Sequence, residues 1–151
     1  MPGVVAGLVP WLIGRGNLPA GPTLAPGIAV FAIGLFLLLW CVRDFYVAGK
    51  GTLAPWSPPQ RLVVVGLYRY SRNPMYLAVL TIIAGWALAL GSVALVVYLG
   101  TLAVAFHLRV RWHEEPWLNR TFGAAWTAYA ASVSRWWPWP LPRRHAADSP
   151  K

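Results

Sequence analysis

The feature that most constrains this chain is a run of 36 residues without a charged side chain, between Arg72 and Arg109. As one straight helix the run would be about 54 Å long, whereas the hydrocarbon core of a bilayer is roughly 30 Å thick. Gly91-Ser92, near the middle of the run, supplies a break. We therefore predict a hairpin of two membrane spans, residues 75–90 and 93–110, whose outer ends return to the same membrane face.

The composition favours a membrane protein over a soluble one. Hydrophobic residues make up 58% of the chain and charged residues only 11%, compared with about 25% charged residues in a soluble domain. The formal net charge of +9 comes from bases that flank the apolar runs, and the positive-inside bias explains this pattern better than nucleic-acid binding does. We expect the bilayer and its anionic head groups as partners, and no nucleic acid.

Two further apolar runs precede the hairpin. Residues 3–13 are apolar but short, and residues 27–42 form a good span that ends at Arg43 and Asp44. Between them, residues 14–26 predict a Gly/Pro loop, and residues 43–72, with their bases, glycines and prolines, predict a polar connection that is not a continuous helix. The expected fold is an all-α polytopic membrane protein with about four transmembrane helices.

The segment after Pro116 predicts an amphipathic helix lying at the membrane interface. Its apolar face repeats at helical spacing and consists of Leu118, Phe122, Ala125 and Tyr129. Trp136, Trp137 and Trp139 suit the head-group level. We expect a single transmembrane domain over residues 1–140, followed by a disordered basic tail, 141–151.

The bases also predict an orientation. Twelve of the thirteen Lys and Arg residues, all but Arg15, fall in segments assigned to one membrane face. With four crossings, the positive-inside rule places both termini in the cytoplasm. The expected location is the cytoplasmic (inner) membrane.

Two of the four acidic residues are adjacent, Glu114 and Glu115, and they follow the last span. Pro116 cannot continue the fourth helix but suits the first turn of a new one, so the two carboxylates would lie beside a helix N-terminus. One interpretation is a helix-start signal with Arg109 or Arg111 as partner. The other is a pair of carboxylates that holds a cationic or hydroxyl-rich ligand at the membrane face.

The stretch Arg72-Asn73-Pro74-Met75-Tyr76 begins the hairpin. Pro74 pre-sets the first helical turn and Asn73 is a reasonable N-cap; Tyr76 could stack on a ligand or donate a hydrogen bond. The plainer interpretation is a helix cap with a snorkelling arginine and an interfacial tyrosine. With one cysteine and no helically spaced histidines, no metal site is expected.

In order and spacing, these motifs resemble the integral-membrane methyltransferases that include isoprenylcysteine carboxyl methyltransferase and the phosphatidylethanolamine N-methyltransferases. That family pairs R-[HN]-P-x-Y before a helical hairpin with a later E-E, then F-G-x-x-Y-x-x-Y and a basic residue before a proline. The matching stretches are 72–76, 114–115, 122–129 and 135–138. Asn73 stands where the carboxyl methyltransferases usually have histidine, and Trp126 replaces the first tyrosine of the paired motif.

The resemblance implies an enzyme that uses S-adenosylmethionine to methylate a membrane lipid or a lipid-linked small molecule. Carried over, the cofactor-binding residues are Asn73, Pro74, Tyr76, Glu114 and Glu115. Arg72 and Arg135 are candidates to orient a carboxylate acceptor, and Glu114 or Glu115 could take the proton of an amine acceptor. The candidate catalytic residues are thus Arg72, Glu115 and Arg135.

Two other functions fit the same pattern. A sterol-reductase-like membrane reductase would use NADPH instead of a methyl donor, and a small non-enzymatic membrane adaptor would use the Glu pair only as a helix cap. Cofactor binding separates the three hypotheses.

Overall fold

The computed structural model describes residues 3–15, 21–49 and 62–137, and all of their regular elements are helical. The elements are a π-helical turn (Val4–Leu8), α1 (Val9–Gly14), α2 (Gly21–Gly49), a 3₁₀ turn (Gly66–Arg69), α3 (Pro74–Leu90), α4 (Val93–Arg109), a second π-helical turn (Val110–Glu114), α5 (Glu115–Phe122) and α6 (Ala124–Ser132). The expected all-α class is confirmed for this part of the chain.

The predicted hairpin is present as α3 and α4. The break falls at Gly91, which has a φ of +56° and donates its backbone N–H to the last turn of α3. Glycine adopts this left-handed conformation without the steric cost that a Cβ would bring. The chain therefore reverses at the Gly91-Ser92 pair, as the sequence predicts.

Helix α2 packs against α3 in an antiparallel arrangement that depends on glycine. A Cβ built on Gly34 would lie 2.7 Å from the backbone N of Ile82, and one on Gly85 would lie 2.5 Å from the backbone N of Phe31. Contacts this short leave no room for a side chain, so the two helix backbones approach closely. This close packing fixes the position of α3 relative to α2. The candidate site, which lies at the start of α3, is positioned with it.

Within the described residues, two helices are long and apolar enough to cross a membrane: Gly21–Ala48, with 28 residues, and Val93–Phe122, with 30. Val4–Gly14 and Pro74–Leu90 are shorter apolar helices. The structure thus supports membrane association through two candidate spans, and the expected four crossings are not confirmed.

Helix α2 is longer at both ends than the sequence predicts. Residues 21–26 of the predicted loop and 43–49 of the predicted connection are helical, and Pro26 lies inside the helix. Transmembrane helices tolerate proline better than soluble helices do, because neighbouring groups satisfy the freed carbonyl. Those parts of the two predictions were wrong, and residues 16–20 and 50–61 lie outside the described part of the chain.

Pro116 lies in the first turn of α5, as the sequence predicts, but it does not end the fourth helix, which corrects the other half of that prediction. The helix continues through the π-helical turn Val110–Glu114 into α5, and the Glu115 N–H bonds to the Val110 carbonyl. A π-helical turn inserts one extra residue into the helix, and the proline that follows occupies a position where the ordinary hydrogen-bond ladder is already interrupted.

The predicted C-terminal helix is two helices. Gly123, with a φ of +50°, separates α5 from α6. The predicted apolar face is confirmed for Leu118, Phe122 and Tyr129, which pack with Trp126 and Val133, but Ala125 is exposed. Trp139 and the predicted tail lie beyond the described residues, and the interfacial position of this segment stays a prediction.

Candidate active site

Glu115 joins three separate segments of the chain. Arg72 Nη1 donates to its Oε1 at 3.0 Å, while Arg135 donates through Nε to Oε1 at 2.8 Å and through Nη2 to Oε2 at 2.7 Å. The exposed fractions of the side chains are 14% for Arg72, 16% for Glu115 and 29% for Arg135. We call Arg72, Glu115 and Arg135 the Glu115 cluster. Its forked geometry is the strongest form of arginine–carboxylate contact.

Backbone contacts hold the chain around Arg135 against the start of α3. The Arg72 N–H donates to the Ser134 carbonyl at 3.0 Å, and the Asn73 side-chain amide and the Ser71 hydroxyl donate to the Arg135 carbonyl at 3.1 and 3.2 Å. Asn73 occupies the N-cap position, but its side chain does not cap the helix. Its role in the structure is to hold the segment that carries Arg135.

The two arginines of the Glu115 cluster differ in environment. Burial lowers the pKa of Arg72, with the charge of Glu115 opposing the shift, whereas the hydrogen bond to Glu115 raises the pKa of Arg135. Both guanidinium groups stay protonated, because an arginine pKa remains far above neutrality. Arg72 also lies 5.7 Å from the ring centroid of Trp126, and its Nε is buried with no hydrogen-bond partner among the described residues.

Glu114 has different and more open surroundings. Its Oε1 accepts hydrogen bonds from the Tyr76 hydroxyl and, at 2.9 Å, from Arg109 Nε. The side chains of Arg109 and Glu114 are 58% and 29% exposed. We call Tyr76, Arg109 and Glu114 the Glu114 cluster. In the described part of the chain, no protein donor bonds to Glu114 Oε2, so this atom is available to a ligand.

Aromatic rings lie beside the Glu114 cluster. The ring of Tyr76 is 4.5 Å from that of Phe106 and 6.4 Å from that of Trp136, measured between centroids. Trp136 donates its indole N–H to His107 Nδ1 at 3.1 Å and stacks on that ring. Trp136, predicted as a head-group anchor, is thus fixed within the site.

Tyr129 anchors the turn that leads into the site. Its hydroxyl donates to the Tyr68 carbonyl at 2.6 Å, and burial raises its pKa, against the opposing charge of Arg72. Because Tyr68 belongs to the 3₁₀ turn Gly66–Arg69, this bond ties α6 to the chain just before Arg72.

The structure brings most of the predicted site residues together, in two adjacent groups. Arg72, Glu115 and Arg135 form one, Tyr76 and Glu114 belong to the other, and Asn73 and Pro74 lie at the start of α3 beside both. The sequence interpretation missed the contributions of Ser71 and Tyr129 and the pairing of Trp136 with His107. Only the family spacing around Tyr129 hinted at any of them.

An apolar pocket of about 150 Å³ lies elsewhere, between α2 and α3. Among the described residues, its lining includes Gly27, Phe31, Gly85 and Trp86 and no charged side chain. These residues lie toward the end of α3 that is far from Pro74, so the pocket is separate from the two Glu clusters.

The model of one protein family, described as phospholipid methyltransferase, matches residues 22–125. The chain belongs to this family. The matched region runs from α2 to the start of α6 and contains both glutamates and Arg72, whereas Arg135 lies beyond it. Family membership identifies a membrane-associated methyltransferase and confirms the resemblance seen in the motifs. No curated protein and no solved structure matches the chain significantly.

Proposed function

We propose that this chain is an S-adenosylmethionine-dependent methyltransferase that methylates a lipid or lipid-linked acceptor at the membrane face. The observation that carries the proposal is the Glu114 cluster: a half-open carboxylate with a free oxygen beside aromatic rings, within the region that the methyltransferase family matches. A carboxylate suits the ribose hydroxyls of the cofactor, and ring faces suit its sulfonium charge.

The hydrogen bonds that each glutamate already accepts indicate which of the two can bind a ligand. Both oxygens of Glu115 already accept from arginine, so Glu115 fits poorly as a ligand group. Glu114 and Tyr76 would hold the cofactor, which supplies an activated methyl group. Glu115 acts instead as a positioning residue that fixes the guanidinium groups of Arg72 and Arg135.

The charge of the site favours an acceptor with an anionic portion. Three arginines and two glutamates give the two clusters together one excess positive charge. Arg135 is partly exposed, and Arg72 has an unused Nε. These groups would orient the phosphate of a lipid head group or a carboxylate acceptor, and orientation is the main requirement when the methyl group is already activated.

If the acceptor is an amine, it must lose a proton before it can accept a methyl group. Glu114 is better placed for this than Glu115, because its Oε2 is not bonded to an arginine. A general base must lie within hydrogen-bond reach of the proton that it removes. The two acceptor types, carboxylate and amine, thus depend on different clusters.

The deciding experiment is calorimetric titration of S-adenosylmethionine into detergent-purified protein. We compare the wild type with Glu114→Gln and with Arg111→Gln, a matched control that removes an exposed charge from the same π-helical turn. We expect Glu114→Gln to weaken binding about tenfold, corresponding to the loss of a hydrogen bond to a charged group, and the control to bind as the wild type does.

Failure of folded wild-type protein to bind S-adenosylmethionine would contradict the proposal. NADPH is then titrated in the same way, since its binding would favour the reductase hypothesis. A protein that binds neither compound would be the membrane adaptor.

A further inference from the structure

Asp44 is a buried acid with no part in either cluster. The chain has four acidic residues; Asp148 lies outside the described part, and Glu114 and Glu115 are neutralised by arginines. Asp44 is 8% exposed, and its Oδ2 has no hydrogen-bond partner among the described residues. Its one ion pair there is a 3.9 Å contact with Arg43, whose side chain is 75% exposed. Burying a carboxylate this way is costly unless a cation joins it.

The packing of α2 on α3 places Asp44 at the level of the site. Gly27 lies against Ala89, Phe31 against Gly85, and Gly34 against Ile82. Residue numbers therefore rise along α2 as they fall, by the same amount, along α3. Continued along α2, this register brings Asp44 level with Arg72, just before α3 begins.

The 3₁₀ turn Gly66–Arg69 covers the Asp44 carboxylate. A Cβ built on Gly66 would overlap Asp44 Oδ2 and would lie 3.3 Å from Trp40 Nε1. The absence of a side chain at Gly66 is therefore what lets the carboxylate fit beneath this turn. The same turn leads through Tyr68 to Arg72, so the carboxylate lies beneath the segment of chain that enters the site.

Tyr68 belongs to the turn that covers Asp44, and its carbonyl accepts the hydrogen bond from the Tyr129 hydroxyl. Burial raises the pKa of the Tyr68 phenol, and Cys41, Tyr129, Asp44 and Tyr76 contribute in the same direction. Asp44 and Cys41 belong to α2, whereas Tyr76 and Tyr129 belong to α3 and α6.

We propose that Asp44 binds the ammonium group of a ligand at this site. The proposal rests on the proposed function, because both ligand types of such an enzyme include an ammonium: the amino-acid portion of S-adenosylmethionine carries one, and so does the head group of an aminolipid acceptor. Arginines already balance the charge of both glutamates, although Glu114 keeps one oxygen free. The charge of Asp44 has only the 3.9 Å contact with Arg43, and its buried carboxylate oxygen can accept from a charge-assisted N–H donor.

The first arm of the test asks whether the ammonium belongs to the methyl donor. S-adenosylhomocysteine, which keeps the amino-acid portion, and 5′-methylthioadenosine, which lacks it, are titrated into the wild type and Asp44→Asn. If Asp44 binds the donor, Asp44→Asn weakens S-adenosylhomocysteine about 10- to 100-fold and leaves methylthioadenosine within twofold.

The second arm asks whether the ammonium belongs to an acceptor lipid. Binding of dioleoyl-phosphatidylethanolamine is measured by native mass spectrometry, beside dioleoyl-phosphatidylcholine, whose quaternary nitrogen has no N–H to donate. If Asp44 binds an acceptor head group, Asp44→Asn removes a preference for the ethanolamine lipid of about tenfold or more. Tyr46→Phe, an exposed change two residues away on α2, leaves both arms unchanged.

Asp44→Asn protein that binds all four compounds as the wild type does would overturn the proposal while leaving the proposed function intact. Wild-type protein that binds neither adenosyl compound would instead contradict the proposed function, and the lipid arm would still decide the role of Asp44. If Asp44→Asn does not fold, modification of wild-type Asp44 by an apolar carbodiimide is followed by mass spectrometry. Slowing of the modification by S-adenosylhomocysteine or the ethanolamine lipid supports the proposal, and slowing by neither overturns it.

Discussion

Glu114 and Glu115 are neighbours in sequence but have different surroundings. Glu115 is 16% exposed and bonds to two arginines from segments before α3 and after α6, whereas Glu114 is 29% exposed and bonds to one exposed arginine and one tyrosine. Successive residues of a helix point about 100° apart, so the pair faces two sides of the chain. The comparison teaches that a repeated residue type need not have a repeated role.

The difference has an energetic basis. An ion pair at an exposed site contributes about 0–1 kcal/mol to stability, whereas removing one member of a buried pair costs about 3–5 kcal/mol because a charge is left without a partner. Glu115 resembles the buried ion pair, and Glu114 resembles the exposed one. We therefore assign the folding of the C-terminal segment to Glu115 and ligand contact to Glu114.

The largest expected effect comes from Glu115→Gln. This change leaves Arg72 and Arg135 close together without a counter-charge, and we expect it to lower the free energy of unfolding by about 3 kcal/mol. Glu114→Gln should lower it by about 1 kcal/mol or less. Thermal unfolding in the same detergent checks both values, and equal losses in the two variants would remove the distinction between the clusters.

A smaller effect is expected from Arg135→Lys, which keeps the charge of the Glu115 cluster but loses the two parallel hydrogen bonds from one guanidinium to both Glu115 oxygens. Lysine cannot donate to both Glu115 oxygens in the geometry that Arg135 uses, so the free energy of unfolding should fall by about 1–3 kcal/mol. Arg120→Lys, an exposed change on α5, is the matched control and should be within about 0.5 kcal/mol of the wild type. A stable Arg135→Lys protein would show that charge alone holds this segment.

The parts of the fold that the sequence predicts are those with a strong local signal. The α3–α4 hairpin follows from the charge-free run and Gly91, because a helix too long for the bilayer must break where glycine permits. The extension of α2 past Arg43 was missed, since a helix that leaves the membrane keeps its hydrogen bonds in water and needs no apolar residues to continue. The break at Gly123 had a local signal, a glycine within a helical pattern, which the apolar spacing outweighed.

The sequence predicts which residues form the candidate site, but it does not predict which arginine or tyrosine bonds to which glutamate. Motif order placed Arg72, Glu115 and Arg135 in one site, yet the division of roles between the two glutamates depends on the π-helical turn Val110–Glu114. Such a turn changes the direction of each later side chain and has no reliable sequence signature. The sequence indicates that Asp44 ends a span, whereas its burial beneath Gly66 is a tertiary contact that no local pattern predicts.

The smallest expected effect tests how the turn before Arg72 supports the Glu115 cluster. Tyr129→Phe removes the hydrogen bond to the Tyr68 carbonyl and should lower the free energy of unfolding by about 1 kcal/mol at neutral pH.

Because burial raises the pKa of Tyr129 in the folded state, the contribution of Tyr129 to stability is complete below the unfolded tyrosine pKa of about 10. It is then lost as the pH rises toward the folded value. The wild type should therefore lose stability more steeply than Tyr129→Phe above pH of about 10, as measured by thermal unfolding across the alkaline range. Tyr70→Phe, an exposed change in the same segment, should follow the wild-type curve. Parallel curves for all three proteins would mean that the Tyr129 hydroxyl does not support the turn that positions Arg72.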